Sequence, residues 1–323
     1  MKFINQIINI DCKRGIDQLP DNSIDCVITS PPYWGLRDYG VSGQLGLEVT
    51  PQEYVQSLVD IFSRIHRVLK ESGTIWLNLG DTYSAHKDCK SISQTIAKDS
   101  RSKSAHVIEK GKSVSHDSKV LKSAGLKNKD LIGIPWRVAL ALQEYGWYLR
   151  QDIIWNKPNP MPESVKDRCT KAHEYIFLIT KSSRYYFDHR SILEPAKYDG
   201  RKDIIMKGSP KYQQVFTGNS PQKLALCPHE RWVETKNGIY MRRKRSVWTV
   251  PTKPLKEAHF AAYPIELITP CALAGCPENG IILDPFMGAG TTAIVAKQNN
   301  RNYVGFELNP DYIEIANKRI STL

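Results

Sequence analysis

What the chain lacks narrows it first. No run of about 18 apolar residues occurs, so no segment is long enough to cross a bilayer as a helix. The first ten residues carry one lysine and break at once into Asn5 and Gln6, too weak a pattern for a secretory signal. Seven cysteines, an odd number, stand at 12, 26, 89, 169, 227, 271 and 276 without a Cys-x-x-Cys pair. That argues against a disulfide framework and against a zinc site, and it fits a reduced cytoplasm. Cys227-Pro228-His229 is an isolated pair of ligand types, so no metal is expected. Gly-x-Gly-x-x-Gly is missing, which excludes the dinucleotide fingerprint, and the loop Gly288-Ala289-Gly290 is not followed by the Gly-Lys-Thr of a P-loop.

What is present suits one large α/β domain, or one with an insertion: 323 residues, 41% of them apolar. Lys and Arg number 45 against 33 acids, a net charge of +12. Solubility alone accounts for such a charge; so does a polyanionic partner whose counterions are released on binding.

Pattern and punctuation outline the elements. Phe3–Ile10 reads as a strand, and Ile24–Thr29 as an apolar strand stopped by Ser30-Pro31-Pro32, since proline cannot continue a central strand. Pro51–Leu69 has helical periodicity through Tyr54, Leu58, Ile61, Ile65 and Val68. Thr74–Leu79, Tyr148–Trp155, Tyr175–Thr180, Ile281–Leu283 and Asn302–Glu307 read as further strands. Helices are expected at Pro135–Tyr145, at about Phe260–Ala274 and from Thr291. Residues 84–129 hold eleven Lys or Arg, ten serines and no aromatic residue, so a mobile insertion is expected there. Residues 189–248 are also basic, thirteen Lys or Arg against five acids, but Tyr198, Tyr212, Phe216, Trp232, Tyr240 and Trp248 interleave, which allows a folded unit. Its densest charge is Arg242-Arg243-Lys244-Arg245, expected to contact the phosphates of a polyanionic partner, although a solvated charged turn would look the same.

Two motifs carry chemistry. The strand Ile281–Leu283 runs through Asp284, Pro285 and Phe286 into Gly288-Ala289-Gly290 and a helix opening with Thr291-Thr292. Strand, glycine turn and helix start form a nucleotide-type site, where backbone can approach a ligand and free N–H groups are offered. Glu307 ends the next strand, 23 residues after Asp284, near the offset at which an acid meets ribose hydroxyls. Asp284-Pro-Phe-Met-Gly-Ala-Gly-Thr-Thr resembles the S-adenosylmethionine motif of amino-methylating DNA methyltransferases.

The second motif is Thr29-Ser30-Pro31-Pro32-Tyr33-Trp34. An exocyclic amino group is a poor nucleophile because its lone pair is delocalised into the ring. Acceptors for its two N–H bonds favour a pyramidal nitrogen aimed at a methyl donor. Ser30 and the Pro31 carbonyl are the expected acceptors, Pro31 and Pro32 fix the backbone that presents them, and Tyr33 is the expected stacking platform for a base flipped out of the duplex. Direct transfer needs no covalent intermediate, so no catalytic cysteine is sought.

With both motifs in hand, the chain resembles the β-class amino-methyltransferases, in which the catalytic motif precedes the cofactor motif. The blocks Ile134–Arg137, Asp152–Pro160 and Lys171–Ile176 are similar to the family's intermediate blocks, His259–Ile268 to its cofactor-side helix before the glycine motif, and Asp11-Cys12 to the early block that touches the adenosyl group. The resemblance implies a Rossmann-like S-adenosylmethionine-dependent methyltransferase fold, a mixed seven-stranded sheet with helices on both faces. Residues 1–188 and 249–323 would form its catalytic and cofactor halves, and 189–248 the inserted target-recognition region. It implies S-adenosylmethionine as cofactor, held by Asp11, Cys12, Asp284, Phe286, Gly288, Gly290, Thr291 and Glu307. Duplex DNA is the implied partner, in a prokaryotic or phage setting. A homodimer and a companion restriction endonuclease are both compatible with it. Ser-Pro-Pro-Tyr is typical of N4-cytosine members and Asp-Pro-Pro-Tyr of N6-adenine members, so cytosine is favoured over adenine. RNA methylation and a non-catalytic nucleic-acid binder remain as alternatives, the latter opposed by two intact motifs.

Overall fold

The computed structural model describes residues 3–36, 38–84, 124–195, 232–234, 240–253 and 262–323. Most of the serine-rich segment 84–129 and much of 189–248, with Tyr198, Tyr212 and Phe216, lie outside the described residues.

Among the described residues the chain divides into two units, Met1–Phe187 with Ser246–Leu323, and Asp188–Arg245. The larger is built on a sheet of eight strands: β1 (Gln6–Asn9), β2 (Ile24–Thr29), β3 (Leu69–Leu79), β4 (Tyr148–Asn156), β5 (His173–Thr180), β9 (Val247–Thr249), β10 (Ile281–Asp284) and β11 (Asn302–Glu307). Their order across the sheet is β1-β11-β10-β2-β3-β5-β4-β9. Only β5 runs against its neighbours. The sheet is mixed, as expected, but has eight strands rather than seven. Val247–Thr249 adds in parallel to Ile154–Asn156, so this stretch belongs to the large sheet and not to the basic unit.

All six residues of β2 are buried, the mark of a strand covered on both faces. On one face lie α1 (Cys12–Asp17), α2 (Pro51–Val68) and α3 (Ile134–Tyr145), packed over Val27, Ile75, Leu77, Leu283 and Val304. On the other, α4 (Ile265–Gly275) packs on β2 and β3 and against α5 (Thr291–Gln298), with α6 (Pro310–Ser321) beyond. The helix α2 shows why these residues form these elements. Thr50 and Glu53 make a capping box, Pro51 takes the first turn, and Tyr54, Leu58, Ile61, Phe62 and Ile65 are fully buried. Each such side chain contributes about 1.5–3 kcal/mol. The fourth helix starts at Ile265 rather than near Phe260, because Pro264 is extended and stands as its N-cap.

The strand order fixes where a site can be. From β2 the chain moves on to β3, and from β10 to β11 on the opposite side, so β2 and β10 flank the point where the winding reverses. Ligands of open α/β sheets bind beyond the carboxyl ends of strands at that point. The loops leaving β2 and β10 there are Ser30–Tyr33 and Pro285–Gly290.

The smaller unit contains a three-stranded antiparallel sheet made of β6 (Glu194–Pro195), β7 (Trp232–Glu234) and β8 (Tyr240–Arg242), with β8 in the middle. No described helix in the protein is long and apolar enough to cross a membrane.

Candidate active site

The two motifs meet through one hydrogen bond. Thr29, the last residue of β2, donates from Oγ1 to Asp284 Oδ1 at 2.7 Å, and both residues are fully buried. Asp284 also accepts from Thr292 Oγ1 at 2.6 Å, the Phe286 N–H at 3.0 Å and the Tyr263 hydroxyl at 3.0 Å. Burial pushes the Asp284 carboxyl above its ordinary value, against these hydrogen bonds. Tyr263 is held protonated far above the usual phenol range by burial and by that carboxylate. Asp284, expected to touch the cofactor, is therefore an internal strut. Its oxygens tie β2, the glycine loop, α5 and the segment before α4 together.

The glycine loop itself is open on one side. Gly288 (φ +52°) and Gly290 (φ +79°) both occupy the left-handed region. A Cβ on Gly290 would lie 2.7 Å from Ala316 Cβ, so that glycine is demanded by the packing of α6. A Cβ on Gly288 would meet nothing nearer than 3.9 Å, which leaves its backbone accessible. The Gly288 N–H donates to Glu307 Oε2 at 2.8 Å, and the Asn309 N–H to Glu307 Oε1 at 2.8 Å. Burial raises the Glu307 carboxyl above its ordinary value despite those donors.

Asp11 and Cys12 follow β1, whose Asn9 pairs with Glu307. Asp11 caps α1 by accepting from the Lys13 and Arg14 N–H groups, and the buried Cys12 thiol is pushed up to about 12, so it stays a thiol. Phe286 is half-buried against the core. Thr291 is buried with its hydroxyl accepting from Arg319 of α6, so that hydroxyl is part of a helix–helix contact; Thr292, beside it, is the one that faces Asp284. An adenosyl cofactor fits the residues that remain: an acid on the neighbouring strand, an accessible glycine backbone, and the start of a helix.

The loop Ser30–Trp34 is anchored by two hydrogen bonds. Trp34 is buried and donates from Nε1 to the Glu48 carbonyl at 2.9 Å, and the Tyr54 hydroxyl donates to the Pro32 carbonyl at 2.8 Å. The Pro32 carbonyl is thus occupied, whereas the Pro31 carbonyl takes no hydrogen bond among the described residues. Tyr33 lies against Gly80, where a Cβ would come within 2.5 Å of its ring. Its hydroxyl donates to Glu174 Oε2 at 2.8 Å and lies 3.1 Å from Asn78 Oδ1. Ser30 Oγ is 3.3 Å from both the Tyr33 hydroxyl and Asn78 Oδ1. Lys157 forms an ion pair with Glu174 Oε1 and sits 4.2 Å over the Trp155 ring. Burial raises the Tyr33 phenol well above its usual range, reinforced by Glu174.

Sequence reasoning assigned no role to Asn78, Glu174, Lys157 or Tyr263. Asn78 had a signal, since it is one polar residue, 3% exposed, inside the apolar run of β3. Glu174 and Lys157 lay in blocks already noted, but nothing local says that β4 and β5 carry them to Tyr33.

In the smaller unit, Glu194 stands opposite Arg242 on the adjacent strand and pairs with both Arg242 (2.8 Å) and Arg245 (2.8 Å). Two of the four residues expected on DNA phosphate thus share one carboxylate. Arg243 is exposed.

Comparison with known proteins agrees with this geometry. The family model described as DNA methylase matches residues 24–318. The chain is 42% identical to the Type II methyltransferase M.Cfr9I of Citrobacter freundii over 316 residues, covering 96% of this chain and 85% of that protein. It is also 42% identical to the Type II methyltransferase M.SmaI of Serratia marcescens over 315 residues, 98% and 90% of the two chains. Among solved structures, the cytosine-N4-specific PvuII DNA methyltransferase superposes with a TM-score of 0.61 at 16% identity, over 97% of this chain and 85% of that one. A putative DNA modification methylase of Thermus thermophilus, solved with S-adenosyl-L-methionine, gives 0.55 at 19% identity, over 98% and 94%.

Proposed function

The chain belongs to the DNA methylase family of N6- and N4-methyltransferases, and we propose that within it the protein moves a methyl group from S-adenosylmethionine to the exocyclic N4 of cytosine in duplex DNA. The observation that carries this reading is the Thr29–Asp284 hydrogen bond. It holds the methyl-accepting loop and the glycine loop on adjoining strands at one edge of the sheet, where acceptor base and donor must meet.

The chemistry supplied by the bound cofactor is an electrophilic methyl group on a sulfonium sulfur. The chain's own residues do the rest. Glu307 accepts the ribose hydroxyls, Gly288 and Gly290 admit the ligand to the backbone, Phe286 flanks it, and Asp11-Cys12 closes the adenosyl side. Asp284 and Thr291 act from behind, as a strut and a helix contact. Ser30 Oγ and the Pro31 carbonyl accept the two amino N–H bonds of a flipped base, which leaves the nitrogen lone pair directed at the methyl group. Tyr33 packs beside that base. Arg243 and Lys244, with what charge Arg242 and Arg245 keep beyond Glu194, serve phosphate contacts, and residues 189–245, the part of 189–248 outside the large sheet, are the target-recognition region.

Cytosine is favoured by the serine at the head of Ser30-Pro31-Pro32-Tyr33 and supported by the description of the PvuII enzyme as cytosine-N4-specific. The Type II names of the relatives support a role in protecting sites from a companion endonuclease, with the enzyme acting in the cytoplasm. The test is methylation of defined duplex oligonucleotides, digestion to nucleosides and mass spectrometry. N4-methylcytosine is expected; N6-methyladenine as the sole product overturns the choice of base. Structured RNA added as competitor is expected to leave duplex methylation unchanged.

A further inference from the structure

Beyond this reading, and resting on it, we infer that Lys157 and Glu174 form a positioning pair that sets the hydrogen-bond polarity of Ser30 through Tyr33. The argument is one of counting protons. Lys157 can only donate and an ionised Glu174 can only accept, so the chain of contacts ends on a fixed polarity. Tyr33 has one hydroxyl proton, and Glu174 Oε2 at 2.8 Å is a nearer and stronger acceptor than Asn78 Oδ1 at 3.1 Å. The Tyr33 oxygen then turns its lone pairs to Ser30.

Asn78 is oriented independently. Its Nδ2 donates to the Tyr175 carbonyl at 3.0 Å, and a carbonyl can only accept, so Oδ1 must face Ser30 and Tyr33. Nδ2 also lies 3.4 Å from Glu174 Oε2, in the same sense. Ser30 Oγ therefore faces two acceptors, each at 3.3 Å, and, among the described residues, no donor on that side. Its proton is drawn inward and its lone pairs are left for the amino N–H of the target base. A serine of the opposite polarity would present a proton to that N–H and repel it. The pair sits where this matters, because both side chains are largely buried, 17% and 16% exposed, away from water that would blur the polarity.

The perturbation is Glu174→Gln. With Lys157 still in place, the amide must give its oxygen to the ammonium and its NH2 to Tyr33, so the Tyr33 proton is displaced and either turns to Ser30 Oγ or competes with the Ser30 proton for Asn78 Oδ1. Single-turnover methyl transfer is expected to fall by about 10- to 100-fold, the scale of a misplaced catalytic group. KM for S-adenosylmethionine and DNA affinity should stay within about twofold. The diagnostic is a double-mutant cycle with Tyr33→Phe, which removes the hydroxyl that relays the effect. Glu174→Gln is expected to cost almost nothing in the Tyr33→Phe background. An equal loss in both backgrounds would show a merely structural ion pair and overturn the proposal. The doubly neutral Lys157→Met with Glu174→Gln frees the amide to turn its oxygen to Tyr33. Its rate should lie within about threefold of wild type, a comparison that does not need the single variant to fold; a loss as large as that expected for Glu174→Gln overturns the proposal. The cycle is read on whichever amino group the wild-type enzyme methylates, so adenine as product would refute the cytosine reading and leave this test intact.

Discussion

Thr29→Val is the sharpest probe of how the two loops are joined. The substitution keeps the shape of a fully buried side chain and deletes one donor to Asp284. Asp284 keeps Thr292, Tyr263 and the Phe286 N–H, so it loses one of four partners. A hydrogen bond to a charged group is worth about 1.5–3 kcal/mol net, and little relaxation is available in a close-packed site. For a chain of 323 residues that loss corresponds to a fall of about 2 to 4 °C in Tm. The pH dependence has a definite sign. Burial holds the Asp284 carboxyl above its unfolded value of 3.8, so this group destabilises the fold increasingly as pH climbs from that value through the raised folded one. The Thr29 donor opposes this burden, and its benefit is full only when Asp284 is ionised. The Tm deficit of Thr29→Val should therefore be larger at pH 8 than at pH 4.5. Thr29→Ser keeps the donor and should melt within about 1 kcal/mol of wild type. Thermal denaturation at both pH values, with a calorimetric titration of S-adenosylmethionine, measures all of this. A Thr29→Val protein that melts like wild type at pH 8 and binds the cofactor unchanged would refute the coupling, and so would a deficit that shrinks on raising pH.

Three further outcomes follow from the site. Ser30→Ala should abolish methyl transfer while leaving DNA binding by gel shift largely unchanged; full activity would remove Ser30 from the mechanism. Gly290→Ala combines left-handed strain with a 2.7 Å approach to Ala316 and should cost about 2–4 kcal/mol of stability. Gly288→Ala meets open space, so it should cost only about 1 kcal/mol of strain yet weaken S-adenosylmethionine binding measurably, and equal stability losses would contradict the packing argument. Neutralising Arg243 and Lys244 should reduce the slope of log K against log salt for DNA by about 1.8, whereas Glu194→Gln, which removes the negative charge shared by Arg242 and Arg245, should steepen it; an unchanged slope in both would take the cluster out of the DNA interface.

How far the sequence alone reached depends on where the decisive contacts lie along the chain. The strands Ile24–Thr29 and Asn302–Glu307 were readable residue for residue, because turn residues and prolines bound the first and polar breaks the second. The strand β3 was read from Thr74 but starts at Leu69, since Lys70, Glu71 and Ser72 interrupt the apolar pattern while Ile24 supplies the pairing partner. The strand β1 begins at Gln6 because Asn5 takes a positive φ and turns the chain. The helices α1 and α6 and the strand β9 went unread. A six-residue helix is too short for periodicity, and three strand residues have meaning only beside β4.

The site divides along the same line. Ser30, Pro31, Tyr33, Gly288 and Glu307 were legible because each belongs to a motif whose residues are neighbours in sequence and whose backbone does the chemistry. What those motifs could not say is what holds them in place, since every such contact is long-range. Thr29 reaches Asp284 across 255 positions, Tyr33 reaches Glu174 across 141, and Asn78 reaches Tyr175 across 97. Each of these partners is an ordinary residue at the end or edge of a strand until the sheet is assembled. The carboxyl-end rule then explains why they converge, because β2, β3 and β10 deliver their last residues to one edge and the antiparallel β5 delivers its first. A single reversed strand thus places Glu174, at its start, beside Asn78, at the end of its neighbour. The polarity of Ser30 is consequently a property of the strand order as much as of the Ser-Pro-Pro-Tyr motif. A variant that preserves the motif but shifts the register of β5 against β3 by two residues should lose methyl transfer while keeping the cofactor loop intact.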